Sequence, residues 1–138
     1  VLFTRTPQET AALLRLIASL PEFDRPAVRA LGEMLSAREA EATRTLAFDL
    51  IYGLLADLAR AGITGHLPAD LPDPLAQTLY RLSPSPAAAR AWADTQGQIA
   101  ARLAHGTAVN LDPQSLFLDM VTSLADTAAS SRALAGVV

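Results

Sequence analysis

The chain contains no cysteine and no lysine. Without thiols it can have neither a disulfide framework nor cysteine-ligated zinc, which suits a cytoplasmic setting. With lysine absent, all 11 strongly basic residues are arginine, and alanine is well above its usual frequency, a bias that reads as a GC-rich genome. Aromatic residues are sparse, at one Trp, two Tyr and four Phe. No uninterrupted apolar run reaches the roughly 18 residues expected of a membrane span, and Val1-Leu2-Phe3-Thr4-Arg5 lacks the charged-then-apolar layout of a signal peptide. No membrane partner is therefore expected. The chain begins without Met, as expected of a piece of a longer polypeptide, and tag removal or processing gives the same start.

Excess positive charge is also missing. The net charge is −3 and the isoelectric point is about 5.2, whereas domains that grip nucleic acid through a dense basic patch usually lie above about 9. Direct nucleic-acid contact is not expected. What is present is 138 residues, 51% hydrophobic and 18% charged, enough for one domain that buries roughly two-thirds of its unfolded surface. Because much of the apolar share is alanine, the core depends on leucines.

The pattern along the chain is helical throughout. Thr6-Pro7-Gln8-Glu9 has the form of a capping box. The Leu13, Leu14, Leu16, Ile17 and Leu20 face follows it, until Pro21 stops the run. A second helix restarts near Asp24, with Val28, Leu31, Met34 and Leu35 on one face, making a helical hairpin. Ser36-Ala37-Arg38-Glu39 reads as a second capping box, opening the longest helix, whose stripe is Thr43, Ala47, Leu50, Ile51, Leu54, Leu58 and Ala61. Gly62 is the expected left-handed C-cap, and Gly53 is expected to mark a close helix approach. Residues 62–74 hold too many glycines and prolines for regular structure and read as an internal loop. A short helix carrying Leu75, Leu79, Tyr80 and Leu82 comes next.

Ser85 and Pro86 then cap and begin a Trp92-bearing helix that runs from Ala87 to Ala104, with Gly106 closing it. The last helix starts at Asp112-Pro113 and reaches about Ser130. The tail beyond Ser131 is expected to fray. No sustained period-two pattern occurs, so the fold class is all-α, a single bundle of about five to six helices.

Chemistry-bearing constellations do not emerge. His66 and His105 lack the helical partners of a metal pair. Glu33, Glu39, Glu41, Asp49, Asp57, Asp94, Asp119 and Asp126 fall mostly opposite the leucines, as solvated charges, with Glu41 and Arg44 spaced for an ion pair. No serine has a nucleophile elbow, and Gly62-Ile63-Thr64-Gly65 lacks the lysine of a phosphate loop. Trp92 shares a face with Ile99 and Leu103, which marks it as a core anchor rather than a stacking platform. No catalytic, cofactor-binding or metal site is expected, and the chain itself is not expected to be an enzyme.

Four segments carry a resemblance. Leu20-Pro21-Glu22-Phe23-Asp24 forms the first turn, and the long apolar helix runs from Ala47-Phe48-Asp49-Leu50 to Ala59-Arg60. Ala91-Trp92-Ala93-Asp94 lies in the Trp helix, and Asn110-Leu111-Asp112-Pro113-Gln114 leads into Leu118 and Met120. In this order, over nearly the whole chain, they resemble the C-terminal domain of the delta-prime subunits of bacterial DNA polymerase III clamp loaders. That resemblance implies a collar-like helical domain spanning residues 1–138, which holds the loader pentamer together for sliding-clamp loading in DNA replication. The implied partners are the gamma/tau and delta subunits. The phosphate-binding loop, zinc-binding cysteines and Ser-Arg-Cys finger of such subunits are absent, so no ATPase residue carries over.

A collar domain bares an apolar face when isolated. Leu46, Phe48, Tyr52 and Phe117, lying off the main stripes, are the candidate interface. The gamma/tau collar is a less favoured relative, since that chain normally continues further or has a different helix count. The alternative from another class is a helical small-molecule-sensing domain of a transcription regulator, which predicts an internal cavity lined by Leu, Met and Trp.

Overall fold

The computed structural model describes residues 7–138, with side chains from Thr10 onward. Six α-helices form one all-α bundle, with no strand among the described residues: α1 (Pro7–Ser19), α2 (Arg25–Ser36), α3 (Glu41–Thr64), α4 (Asp73–Leu82), α5 (Pro86–Ala108) and α6 (Pro113–Ala133). A single 3-10 turn, Arg38–Ala40, leads into α3. The capping box at Thr6 lies outside the described residues. No helix among them is long and apolar enough to cross a membrane.

Helix starts follow local chemistry. Asp24, Ser85 and Asp112 each accept a hydrogen bond from the backbone amide three residues on, and a proline stands in the first turn behind each cap. The proline has no amide to satisfy, so cap and proline together deal with donors that the helix cannot bond internally. Ser36 departs from this pattern. Its hydroxyl donates back to the Glu33 carbonyl at 2.9 Å, which keeps it inside α2. The long helix instead begins at Glu41, with Ala40 as an N-cap that has no side-chain bond. The capping box predicted at Ser36 therefore does not form, and Glu41 forms no ion pair with Arg44, whose guanidinium donates to the Leu35 carbonyl at 2.7 Å.

Helix α3 is the spine and packs on α1, α2, α4 and α5, while α6 closes the bundle against α5 and α2. Ala47, Leu50, Ile51, Leu54, Leu55, Leu58 and Ala61 are its buried stripe, as the 3.6-residue period requires. It does not stop at Gly62. The helix runs on to Thr64, and Gly65, at φ 74°, takes the left-handed cap. Gly62 serves packing: a Cβ there would lie 2.6 Å from Ala89 Cβ and 2.7 Å from Ser83 Oγ, so only glycine lets the start of α5 come this near. Gly53, by contrast, faces open space. It marks no close approach.

The α5–α6 junction also differs from the expectation. Gly106 is interior to α5, where a Cβ would meet the Leu116 side chain, and the left-handed residue at the helix end is Asn110, at φ 57°. The Leu111 amide donates to the Gly106 carbonyl at 2.8 Å and the Asn110 amide to the Thr107 carbonyl at 3.2 Å, which is the Schellman pattern. Asparagine tolerates that conformation better than other residues with a Cβ. The tail is tied down rather than frayed. Ser85 donates to the Leu134 carbonyl at 2.7 Å, and Arg90 donates to the Val138 carbonyl at 2.7 Å.

Candidate interaction surface

The four interface candidates separate. Phe117 is fully buried, and its ring lies 3.4 Å from the position a Cβ would take on Gly32. It is a core residue filling the α2–α6 seam, not an exposed one. Leu46 and Phe48 are two residues apart on α3, hence about 200° apart around the helix, so Leu46 lies on the opposite flank of the buried stripe. Only Phe48 and Tyr52 share a side. Both are half-buried, their inner edges packed against the core.

These two belong to a longer pattern. On α3, Phe48, Tyr52, Ala56, Ala59 and Ile63 recur at intervals of three and four residues, partly or fully exposed and all uncharged. On α5, Ala93, Gly97, Ala100 and Ala104 do the same, all exposed. The two helices run antiparallel and in contact along these flanks. The Gln96 amide donates to the Tyr52 carbonyl at 3.1 Å, and Gly62 abuts Ala89. The result is two uncharged stripes on neighbouring helices, one bearing aromatic side chains and one made of small residues, with the Asp49 carboxylate beside Tyr52. Burial, and then the nearby Asp49 carboxylate, push the Tyr52 phenol above its ordinary pKa. The small-residue stripe on α5 does not stand out in the sequence because alanine is common everywhere in this chain; its signal is the 93-97-100-104 spacing, about 80–140° round the helix from Trp92.

Elsewhere the predicted residues fall as follows. Glu33, Glu39, Glu41, Asp49, Asp94, Asp119 and Asp126 are exposed, as are His66 and His105. Met34 and Tyr80 are more exposed than their helix faces predict, at 44% and 43%. Asp57 is the exception among the acids, half-buried and paired with Arg60 at 3.5 Å. Burial raises its carboxyl pKa; the Arg60 charge opposes this, and Asp70 adds to it. Among the described residues, no group of three or more His, Asp or Glu side chains is placed to hold a metal ion. Trp92 is fully buried, and its indole donates to the Leu82 carbonyl at 2.8 Å, so the ring is a core anchor.

The hollow beside Trp92 is small. Between Ile17, Leu54, Leu82, Trp92 and Leu124 lies a void of about 10 Å³ with an apolar lining, about one water molecule in size. Larger hollows are surface grooves: about 210 Å³ between α1 and α2, and about 280 Å³ where the Pro21 turn meets the ends of α4 and α6. The class that the fold defines is an all-α helical bundle, with uncharged stripes on α3 and α5. The chain matches no family model, no curated protein and no solved structure.

Proposed function

We propose that this chain is an assembly module, the collar domain of a clamp loader subunit of the delta-prime kind, which joins neighbouring subunits through its α3–α5 face. The observation that carries this reading is the pair of uncharged stripes, Phe48-Tyr52-Ala56-Ala59-Ile63 and Ala93-Gly97-Ala100-Ala104. Small residues at helical spacing let a partner helix approach closely, and the two aromatic side chains supply the area that anchors an interface. The order of segments that resembles delta-prime subunits supports the same reading. The competing sensor reading requires an internal ligand-sized cavity, commonly about 300–1,000 Å³, and the void beside Trp92 is about 10 Å³.

The test is co-elution of this chain with purified clamp loader gamma and delta subunits from the same organism, with the complex sized. Stable co-elution that is lost in Ala100→Glu, whose site is exposed and whose fold should be unaffected, supports the collar assignment and its face. Failure of both subunits to retain the unaltered chain overturns it.

A further inference from the structure

The groove of about 280 Å³ at the Pro21 turn lies away from the α3–α5 face and has a different character. Its lining joins Arg81 and Arg132 to the apolar Pro21, Leu82, Pro84 and Ala128. In a chain of net charge −3, two guanidinium groups here face one carboxylate, Glu22, which leaves one positive charge in excess. Arg81 is held in place. Its Nη1 donates to the Leu20 carbonyl at 2.9 Å and its Nη2 to the Ala18 carbonyl at 2.8 Å, at the C-terminal end of α1. That end of a helix is electronegative and favours the cation.

Arg132 is engaged weakly. Its partner is Glu22 at 3.8 Å, with side-chain exposures of 66% and 78%, and so open a pair, screened by water, holds its arginine only weakly. Glu22 is a carboxylate from this chain's own turn, resting at the rim of a cationic groove and readily exchanged for another. We propose that the groove takes an acidic, apolar segment of a partner protein: a carboxylate displaces Glu22 from Arg132, and an adjoining aliphatic side chain covers Leu82 and Ala128. Charge complementarity selects the segment, and a hollow of about 280 Å³ has room for one or two side chains. The groove and the α3–α5 face use different surfaces, so each can be occupied without the other.

The test is a titration of the labelled full chain, followed by amide NMR, with the capped tetrapeptide acetyl-Glu-Leu-Glu-Leu-amide and with its Gln-Leu-Gln-Leu counterpart. Shifts are expected at Leu82, Ala128 and Arg132 with the acidic peptide. The Gln peptide and the Arg132→Gln variant should each bind roughly tenfold more weakly, the loss of one charge-assisted hydrogen bond. Glu22→Gln, which frees Arg132, should bind more tightly. Both substitutions are at exposed positions, and an unchanged helical circular dichroism spectrum verifies the fold. Equal binding of the two peptides, shifts confined to other surfaces, no shifts at millimolar peptide, or no gain from Glu22→Gln would each overturn the proposal.

Discussion

Ser131 carries a hydroxyl that is buried without a hydrogen-bond partner. A polar group in that position costs about 1–3 kcal/mol relative to a satisfied one. Ser131→Ala removes the group and changes little volume, so it should stabilise the chain by about 1 kcal/mol, read as a higher urea midpoint at unchanged slope; a lower midpoint would show that the hydroxyl is bonded after all. Asp57 is the titratable counterpart. Its folded carboxyl pKa lies above the ordinary value, with burial the main cause, so the folded state holds its proton more tightly than the unfolded state does. Stability therefore falls as pH rises from the ordinary carboxylate range through the raised value, and is level above it. Asp57→Asn should accordingly be more stable than the parent at neutral pH, with the gain shrinking as acid protonates the parent carboxyl. Thermal melts of both chains across that range check this, and a gain that does not vary with pH would contradict it.

Among the helices, two glycines of α3 make opposite predictions from the same residue type. Gly53 has nothing within 4 Å of a built Cβ, so Gly53→Ala should gain about 0.5–1 kcal/mol by lowering the entropy of the unfolded chain. Gly62→Ala would press a methyl against the Ser85 carbonyl and Ala89. Neither neighbour can swing aside, so a loss of about 1–3 kcal/mol is expected, and chemical denaturation of the pair should separate them in sign. Sequence reasoning could not distinguish these glycines, because both lie in one helical pattern and the difference is made by α5, which arrives more than 20 residues later in the chain. The same limit governs Ser36, whose box spacing fits a helix start, while the competing bond to the Glu33 carbonyl extends the previous helix. It also governs Phe117, which was expected outside because its burial is decided by Gly32 on α2. What was legible was local: proline-backed caps at Asp24, Ser85 and Asp112, the α3 stripe, and Trp92 as an anchor. On α3, the position of Phe48 and Tyr52 off the buried stripe is legible in the sequence, whereas the alanines beside them are masked by the abundance of alanine along the chain.

In the whole bundle, the helices meet around one buried indole. Trp92 of α5 donates to the carbonyl of Leu82, the last residue of α4, and shares its small void with Ile17 of α1, Leu54 of α3 and Leu124 of α6. Five helices are thus represented at one contact, and α2 is joined to them through its packing on α6 and α3. Because Trp92 is the single tryptophan, its emission reports that junction alone, whereas far-ultraviolet circular dichroism reports helix content everywhere. A bundle whose elements all depend on one core should lose both signals together, as expected of a single cooperative unit of this size. Urea titrations followed by the two signals should therefore coincide in midpoint and slope. The place where they would part is α2, which alone contributes nothing to the void around Trp92 and borders α1 across an open groove of about 210 Å³. If ellipticity declined before Trp92 emission changed, α2 would be unfolding as a separate, weaker unit, and the one-core account of the molecule would fail.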